Sequence, residues 1–155
     1  MTPAIDLLNK HKIKFKVHQY QHDKSCDSYG LEAAEKMQIE AQRVFKTLVV
    51  NLDNNSLVVS ILPVTEKLNM KQVAKSCSVK KAQMSEKEDV LRSTGYVLGG
   101  VSPLGQKKRL KTLVNSSALD FPSIYVSAGK RGLEIELNPH DLINLLNAQV
   151  AELCQ

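Results

Sequence analysis

The chain has 155 residues, 43% of them hydrophobic, and 21 Lys and Arg against 16 Asp and Glu give a net charge of +5. This length suits one domain burying roughly two-thirds of its unfolded surface, and the composition excludes a disordered or fibrous chain. The positive excess favours an anionic partner, whether nucleic acid or a phosphorylated small molecule, and no run approaches the ~18 apolar residues of a membrane span.

In chain order, Thr2-Pro3 is an N-cap followed by proline in the first turn, predicting a short helix over 3–11. This opening, MTPAIDLLNKHK, carries charge by its sixth residue and lacks the apolar stretch of a signal peptide. FKVHQY (15–20) alternates as a strand does, and LEAAEKM (31–37) is a helix former. RVFKTLVVNLDNNSLVVSILPV holds two apolar runs around Asp53-Asn54-Asn55-Ser56, the clearest hairpin of the sequence. Asn69 with Gln72 and Ser85 with Glu88 have capping-box spacing, predicting helices over 70–77 and 86–92. KTLVN (111–115), SIYVSA (123–128) and LEIEL (133–137) are strands, and Asn138-Pro139 starts a last helix, HDLINLLNA. There is no regular βαβ alternation, so the fold class is α+β, a single domain around a mixed or antiparallel sheet.

Side chains alternate across a strand, so Lys46 shares its face with Val44, Leu48, Val50 and Leu52. An ammonium in an aliphatic row either meets an anion or reaches solvent over its own stem. In GGVSPLGQKKR (99–109), glycine lets the backbone approach a ligand, proline stiffens the loop, and turn amides can face developing negative charge. Lys107, Lys108 and Arg109 then offer cations for phosphate; a plain surface turn with a solvated basic face accounts for the pattern equally well. A smaller echo, SAGKRG (127–132), again joins glycine to Lys130 and Arg131. Whether the two loops face one cleft is not legible in one dimension.

The chain lacks a Walker loop, a dinucleotide fingerprint, a GxSxG elbow and an HExxH helix. His18, His22 and Cys26 are four residues apart, but on strand and loop rather than helix, and no second ligand pair accompanies them, so no metal is expected. His18, Tyr20 and His22 could share one strand face. Cys26, Cys77 and Cys154 form no CxxC pair, which suits a reducing cytoplasm. With no Trp and 5% aromatics, base stacking offers little. Any catalysis must rest on positioning and on the substrate's own groups.

The segments MTPAIDLLNKHKIKFKVHQYQHD, FKTLVV, STGYVLGGVSPLGQKKRLKT and IYVSAGKRGLEIEL together resemble the YbaK/prolyl-tRNA synthetase editing-domain family over essentially the whole chain. The resemblance implies a compact α+β domain (1–155) with a mixed, largely antiparallel, partly barrel-like sheet flanked by helices. It implies deacylation in trans of Cys-tRNA(Pro), without a cofactor, with the mischarged acceptor end and prolyl-tRNA synthetase as partners and neither membrane nor DNA. Cysteine and proline differ so little in volume that a second sieve is physically sensible. By position, Lys46 corresponds to the family's essential lysine, and Gly100-Val101-Ser102-Pro103 to its GxxP element, with Lys46, Gly100, Ser102 and Pro103 the catalytic set. Tyr20, Thr47, Gly99, Val101, Ser127, Gly129 and Glu134 match substrate-binding positions. Lys107, Lys108, Arg109, Lys130 and Arg131 are the candidates for tRNA phosphate. The implied chemistry is attack by the substrate's own thiolate. A deacylase for another amino acid such as alanine, and a non-catalytic tRNA- or nucleotide-binding module, are the competing readings.

Overall fold

The computed structural model describes residues 2–25 and 29–155, so Cys26 falls outside the described residues. Helix α1 (Pro3–Lys10) starts as its sequence dictates: Thr2 Oγ1 accepts from the Ile5 N–H at 3.3 Å, and Ala4, Ile5 and Leu8 form the buried stripe. Strand β1 (Phe15–Gln19) and helix α2 (Tyr29–Met37) follow. Strands β2 (Phe45–Leu52) and β3 (Leu57–Pro63) make the expected hairpin, paired from Phe45 with Pro63 to Asn51 with Leu57. At its tip Asn55 takes a left-handed φ of 65°, and Asn54 Oδ1 accepts from the Ser56 N–H. Asparagine is among the few side chains that accept both roles at little cost.

Helix α3 (Met70–Ser76) is capped by Asn69, whose carbonyl oxygen accepts from the N–H groups of Lys71 and Gln72. Strand β4 (Ala82–Met84) and helix α4 (Lys87–Thr94) come next. The capping box expected at Ser85 is not formed: Glu86 is the N-cap without a side-chain bond, and Ser85 instead donates its backbone N–H to Val49 at the sheet edge. Pairing with β2 places Ser85 out of capping position. The remaining elements are β5 (Lys111–Asn115), β6 (Ile124–Lys130), β7 (Leu133–Leu137), α5 (Pro139–Leu146) and β8 (Gln149–Ala151).

The strands divide into two sheets, of order β1-β7-β6 and β4-β2-β3-β5-β8. The first is antiparallel; the second is mixed, because β5 runs parallel to both β3 and β8. A bridge between Val44 and Tyr125 joins them, and they do not close into a barrel. The class is the α+β fold expected, with the single sheet resolved into two. The main core lies between the sheets and under α1 and α5, where Phe45, Val59, Ile61 and Val114 meet Ile124, Val126, Ile135 and Leu137. The other face of β2 sends Leu48, Val50 and Leu52 toward α3 with Val73 and Leu153. Both faces of β2 are therefore apolar, and Lys46 interrupts the second. Among the described residues no helix is long and apolar enough to cross a membrane.

Candidate functional site

The outer face of the three-stranded sheet is polar, and period-2 alternation explains why. With Ile124, Val126 and Ile135 turned to the core, Tyr125, Ser127, Glu134 and Glu136 must turn the other way. Register places Ser127 opposite Glu134 and Tyr125 opposite Glu136 on β6 and β7, with His18 of β1 opposite Glu134 on the other side. Where this face meets the start of β2, a cleft of about 300 Å³ opens. Tyr20, Lys46, Thr47, Gly99, Val101, Ser127, Lys130, Arg131 and Glu134 all line it. Nine positions read from the sequence thus converge in space.

Its walls are the two glycine loops, which do face each other. The backbones approach so closely that a Cβ on Gly100 would stand 3.4 Å from Lys130 Cα and 3.5 Å from Arg131 N. Arg131 bridges them: its guanidinium lies 3.8 Å from the Tyr29 ring centroid and donates to the Leu98 carbonyl at 3.2 Å. Gly99, at φ +89°, is held under this clamp, and a Cβ there would come within 2.5 Å of Arg131 Nε. Only glycine fits both the backbone angle and the space. Behind the wall, the buried Tyr96 hydroxyl donates to the Leu104 carbonyl at 2.6 Å, and Ser102 Oγ accepts from the Leu104 N–H. Burial pushes the Tyr96 phenol up to about 12, which keeps it a hydrogen-bond donor at every working pH. The loop is a rigid wall.

Gly100, Ser102, Pro103 and Gly129 do not line the cleft; they build the wall from behind. The Gly100 N–H is engaged by the Val97 carbonyl at 3.0 Å, while Gly99 and Val101 are the loop residues that reach the lining. Gly129 donates its N–H to Ser127 Oγ at 3.0 Å, which fixes that hydroxyl at the cleft surface. Lys107, Lys108 and Arg109 stand apart. They line a second hollow of about 310 Å³ with His11, Pro103 and Leu145, on the far side of the loop. The backbone N–H groups of Lys107 and Lys108 are tied to the carbonyls of Thr94 and Ser93 at the end of α4.

Two ionisable groups dominate the cleft. Lys46 is half-buried and burial draws its ammonium below the usual lysine range, opposed by the charges of Cys154 and Glu66; among the described residues it makes no ion pair. Glu134 is 7% exposed, and burial raises its carboxyl from 4.5 to about 8. No described residue hydrogen-bonds or ion-pairs with it, in contrast to Glu136, two residues on, which is served by His18 at 2.9 Å and Ser123 at 2.6 Å. Thr47 Oγ1 is likewise buried without a partner.

His18 and His22 each hold a carboxylate. His18 Nε2 bonds Glu136, and His22 Nδ1 bonds the buried Glu32 at 2.6 Å. Glu32 also accepts from the Asp23 N–H and pairs with Lys36 at 3.3 Å, anchoring the chain before α2. Tyr29, Gly30, Phe45, Leu48, Val64 and Leu98 also line the cleft and were not read from the sequence. Apolar residues carry no chemical signal, and Tyr29 is marked only by the guanidinium that it meets in space.

The cleft combines a half-buried lysine, two facing glycine loops and a buried acid, without a Cys or His among the described residues of its lining. The sequence profile of the aminoacyl-tRNA editing domain matches residues 24–145, and this chain belongs to that family. It is 39% identical to EbsC of Enterococcus faecalis, a proposed Cys-tRNA(Pro)/Cys-tRNA(Cys) deacylase, over 98% of this chain and 92% of that one. Among solved structures, the fold matches hypothetical protein APE2540 with a TM-score of 0.89 at 20% identity, over 99% of both chains. It also matches a proposed trans-editing enzyme for prolyl-tRNA synthetase with a TM-score of 0.85 at 21% identity, over 99% of this chain and 95% of that one. Both of these likenesses are of fold.

Proposed function

We propose that this protein is an aminoacyl-tRNA deacylase that removes cysteine from mischarged tRNA(Pro) in trans, using the substrate's thiolate as nucleophile. One observation carries the reading: Lys46 and both glycine loops meet at one cleft, and no cysteine or histidine among the described residues lines it. The name of the Enterococcus faecalis relative supports the substrate. Lys46 holds the terminal phosphate or ester region, while Lys130 and Arg131 at the exposed rim receive phosphate oxygens. The Gly99 and Val101 amides face the scissile carbonyl, where fixed donors stabilise charge without reorganising.

In the chemical step, the cysteinyl sulfur, after giving its proton to solvent, forms a bond to its own carbonyl carbon. The bond from that carbon to the ribose oxygen breaks, the oxygen takes up a proton, and the released cyclic thioester is opened by water. An attacker tethered beside its target needs no enzymic nucleophile. Selectivity against serine follows, because a hydroxyl is far harder to ionise than a thiol. A rim of few cations gives little selection among tRNAs, so a complex with prolyl-tRNA synthetase and tRNA supplies it.

The cysteines of the protein are not part of this scheme. Burial raises both the Cys77 and Cys154 thiols, which disfavours the thiolate. The deciding experiment compares wild type and Lys46→Ala on tRNA(Pro) charged with Cys, Ser, Ala or Pro. Rapid loss of cysteine alone, abolished by the substitution, is expected. Equal loss of serine would sink the thiol mechanism, and preferred loss of alanine would move the protein to another substrate. Binding without turnover, indifferent to Lys46→Ala, would make it a binding module.

A further inference from the structure

We propose that Glu134 is the receptor for the free α-amino group of the bound aminoacyl ester, so that the cleft takes unblocked aminoacyl ends and rejects N-acylated ones. This rests on the functional reading above and assigns the substrate group that enters deepest.

A carboxyl withdrawn from water is normally satisfied by hydrogen bonds or a cation. Among the described residues Glu134 has neither, although donors surround it. From β1, His18 is spent on Glu136, and Tyr20, just past the strand, donates its backbone N–H to the Gly132 carbonyl. From β6, Ser127 Oγ accepts from the Gly129 N–H, and its hydroxyl makes no bond to Glu134 among the described contacts. From β2, the charges acting on Lys46 are those of Glu66 and Cys154. In the turn between β6 and β7, Arg131 is stacked on Tyr29 and bonded to Leu98, and Lys130 is exposed. The cleft therefore presents a carboxyl unpaired among the described residues within and cations at its rim.

That polarity has a chemical complement. The aminoacyl end of a tRNA carries an ammonium beside the ester and phosphates beyond the ribose. An ammonium has three donors and no acceptor, which suits a carboxylate. Phosphates then fall toward Lys130 and Arg131, and the ester carbonyl lies between, beside the Gly99 and Val101 amides. Burial holds the proton of the empty carboxyl up to about pH 8. An arriving ammonium displaces that proton to solvent and leaves a charge-assisted pair, the strong kind of hydrogen bond. An N-acyl nitrogen carries no charge and one donor, and its added bulk meets the wall.

The test uses two stable amide probes, 3′-deoxy-3′-(L-alanylamino)adenosine 5′-monophosphate and its N-acetyl derivative, titrated calorimetrically into the full-length protein. Wild type is expected to bind the free amine at least about tenfold more tightly, since bonds to charged groups are worth that much. Glu134→Gln is expected to bring the two affinities within about threefold, with the N-acetyl probe unchanged as proof of an intact cleft. Equal wild-type affinities, no wild-type binding of either probe, or a preference that survives Glu134→Gln would each overturn the assignment. The wild-type comparison needs no variant, so a Gln protein that misfolds does not shelter the idea. Turnover of Cys-tRNA(Pro) by the same preparation separates the two readings. Turnover without amine preference sinks this inference alone, and absence of turnover on every charged tRNA sinks the deacylase.

Discussion

Replacing Glu134 by glutamine should remove a loss of stability that the wild type suffers as pH rises. The carboxyl titrates near 4.5 when unfolded and at about 8 when folded. Between those values the folded state binds more protons than the unfolded state, so the group costs stability progressively as pH rises. The full difference corresponds to a ceiling of about 5 kcal/mol. Glutamine is nearly isosteric and neutral at all pH, so below pH 5 the two proteins should differ little. At pH 9 the variant should be the more stable by about 2–5 kcal/mol, trimmed from the ceiling because the carboxyl borders the cleft and water can reach it. For a chain of this length that is a rise in Tm of roughly 5–15 °C. Thermal unfolding of both proteins at unit steps from pH 5 to pH 9, followed by circular dichroism, reads the difference directly. Parallel curves would refute the reasoning, since they would mean that the carboxyl is solvated or paired in the folded protein.

Other outcomes follow from the same structure. Gly129→Ala should lose about 2–4 kcal/mol in urea unfolding, because φ there is +102° and a Cβ would sit 2.4 Å from Tyr96 Cε1. Glu32 behaves oppositely to Glu134. Burial alone would raise its carboxyl, but His22, the Asp23 N–H and Lys36 outweigh that and hold it below the usual range. Its contribution is present above pH 4.5 and lost as pH falls through the depressed value, so Glu32→Gln should destabilise at pH 7 and much less at pH 3, measured by denaturant midpoint. Cys77→Ser combined with Cys154→Ser should keep deacylation within about threefold, read by release of cysteine from Cys-tRNA(Pro); loss beyond a hundredfold would implicate a protein thiol. Neutralising Lys107, Lys108 and Arg109 to glutamine should flatten the salt dependence of tRNA binding while leaving the rate at saturating tRNA unchanged, because they border the second hollow rather than the cleft.

Local chemistry made much of this molecule legible in one dimension. Thr2-Pro3, Asn69 and Asn138-Pro139 mark helix starts because a side-chain oxygen and a missing N–H act within a few residues. The β2–β3 hairpin is equally local, and alternation alone placed Lys46 in an aliphatic row. The three-residue strands β4 and β8 escaped detection because so short a segment has no period to display; each exists only because a neighbouring strand offers bonds. Ser85 misled for the same reason, its N–H going to β2 rather than its side chain to a helix.

The sequence by itself singled out candidates for chemistry: a lysine among aliphatics, two glycine turns beside cations, and three cysteines without a CxxC pair. The tertiary structure alone decided which of them meet. It brought Gly99 and Val101 to the cleft and put Pro103 and the basic run behind it, and it left Glu134 buried with no partner among the described residues while supplying Glu136 with His18, Ser123 and Arg43. Those outcomes depend on how two sheets are set against one another, a relation among segments a hundred residues apart. Propensity and spacing act over a few residues, whereas burial and the protonation it imposes are properties of the packed whole.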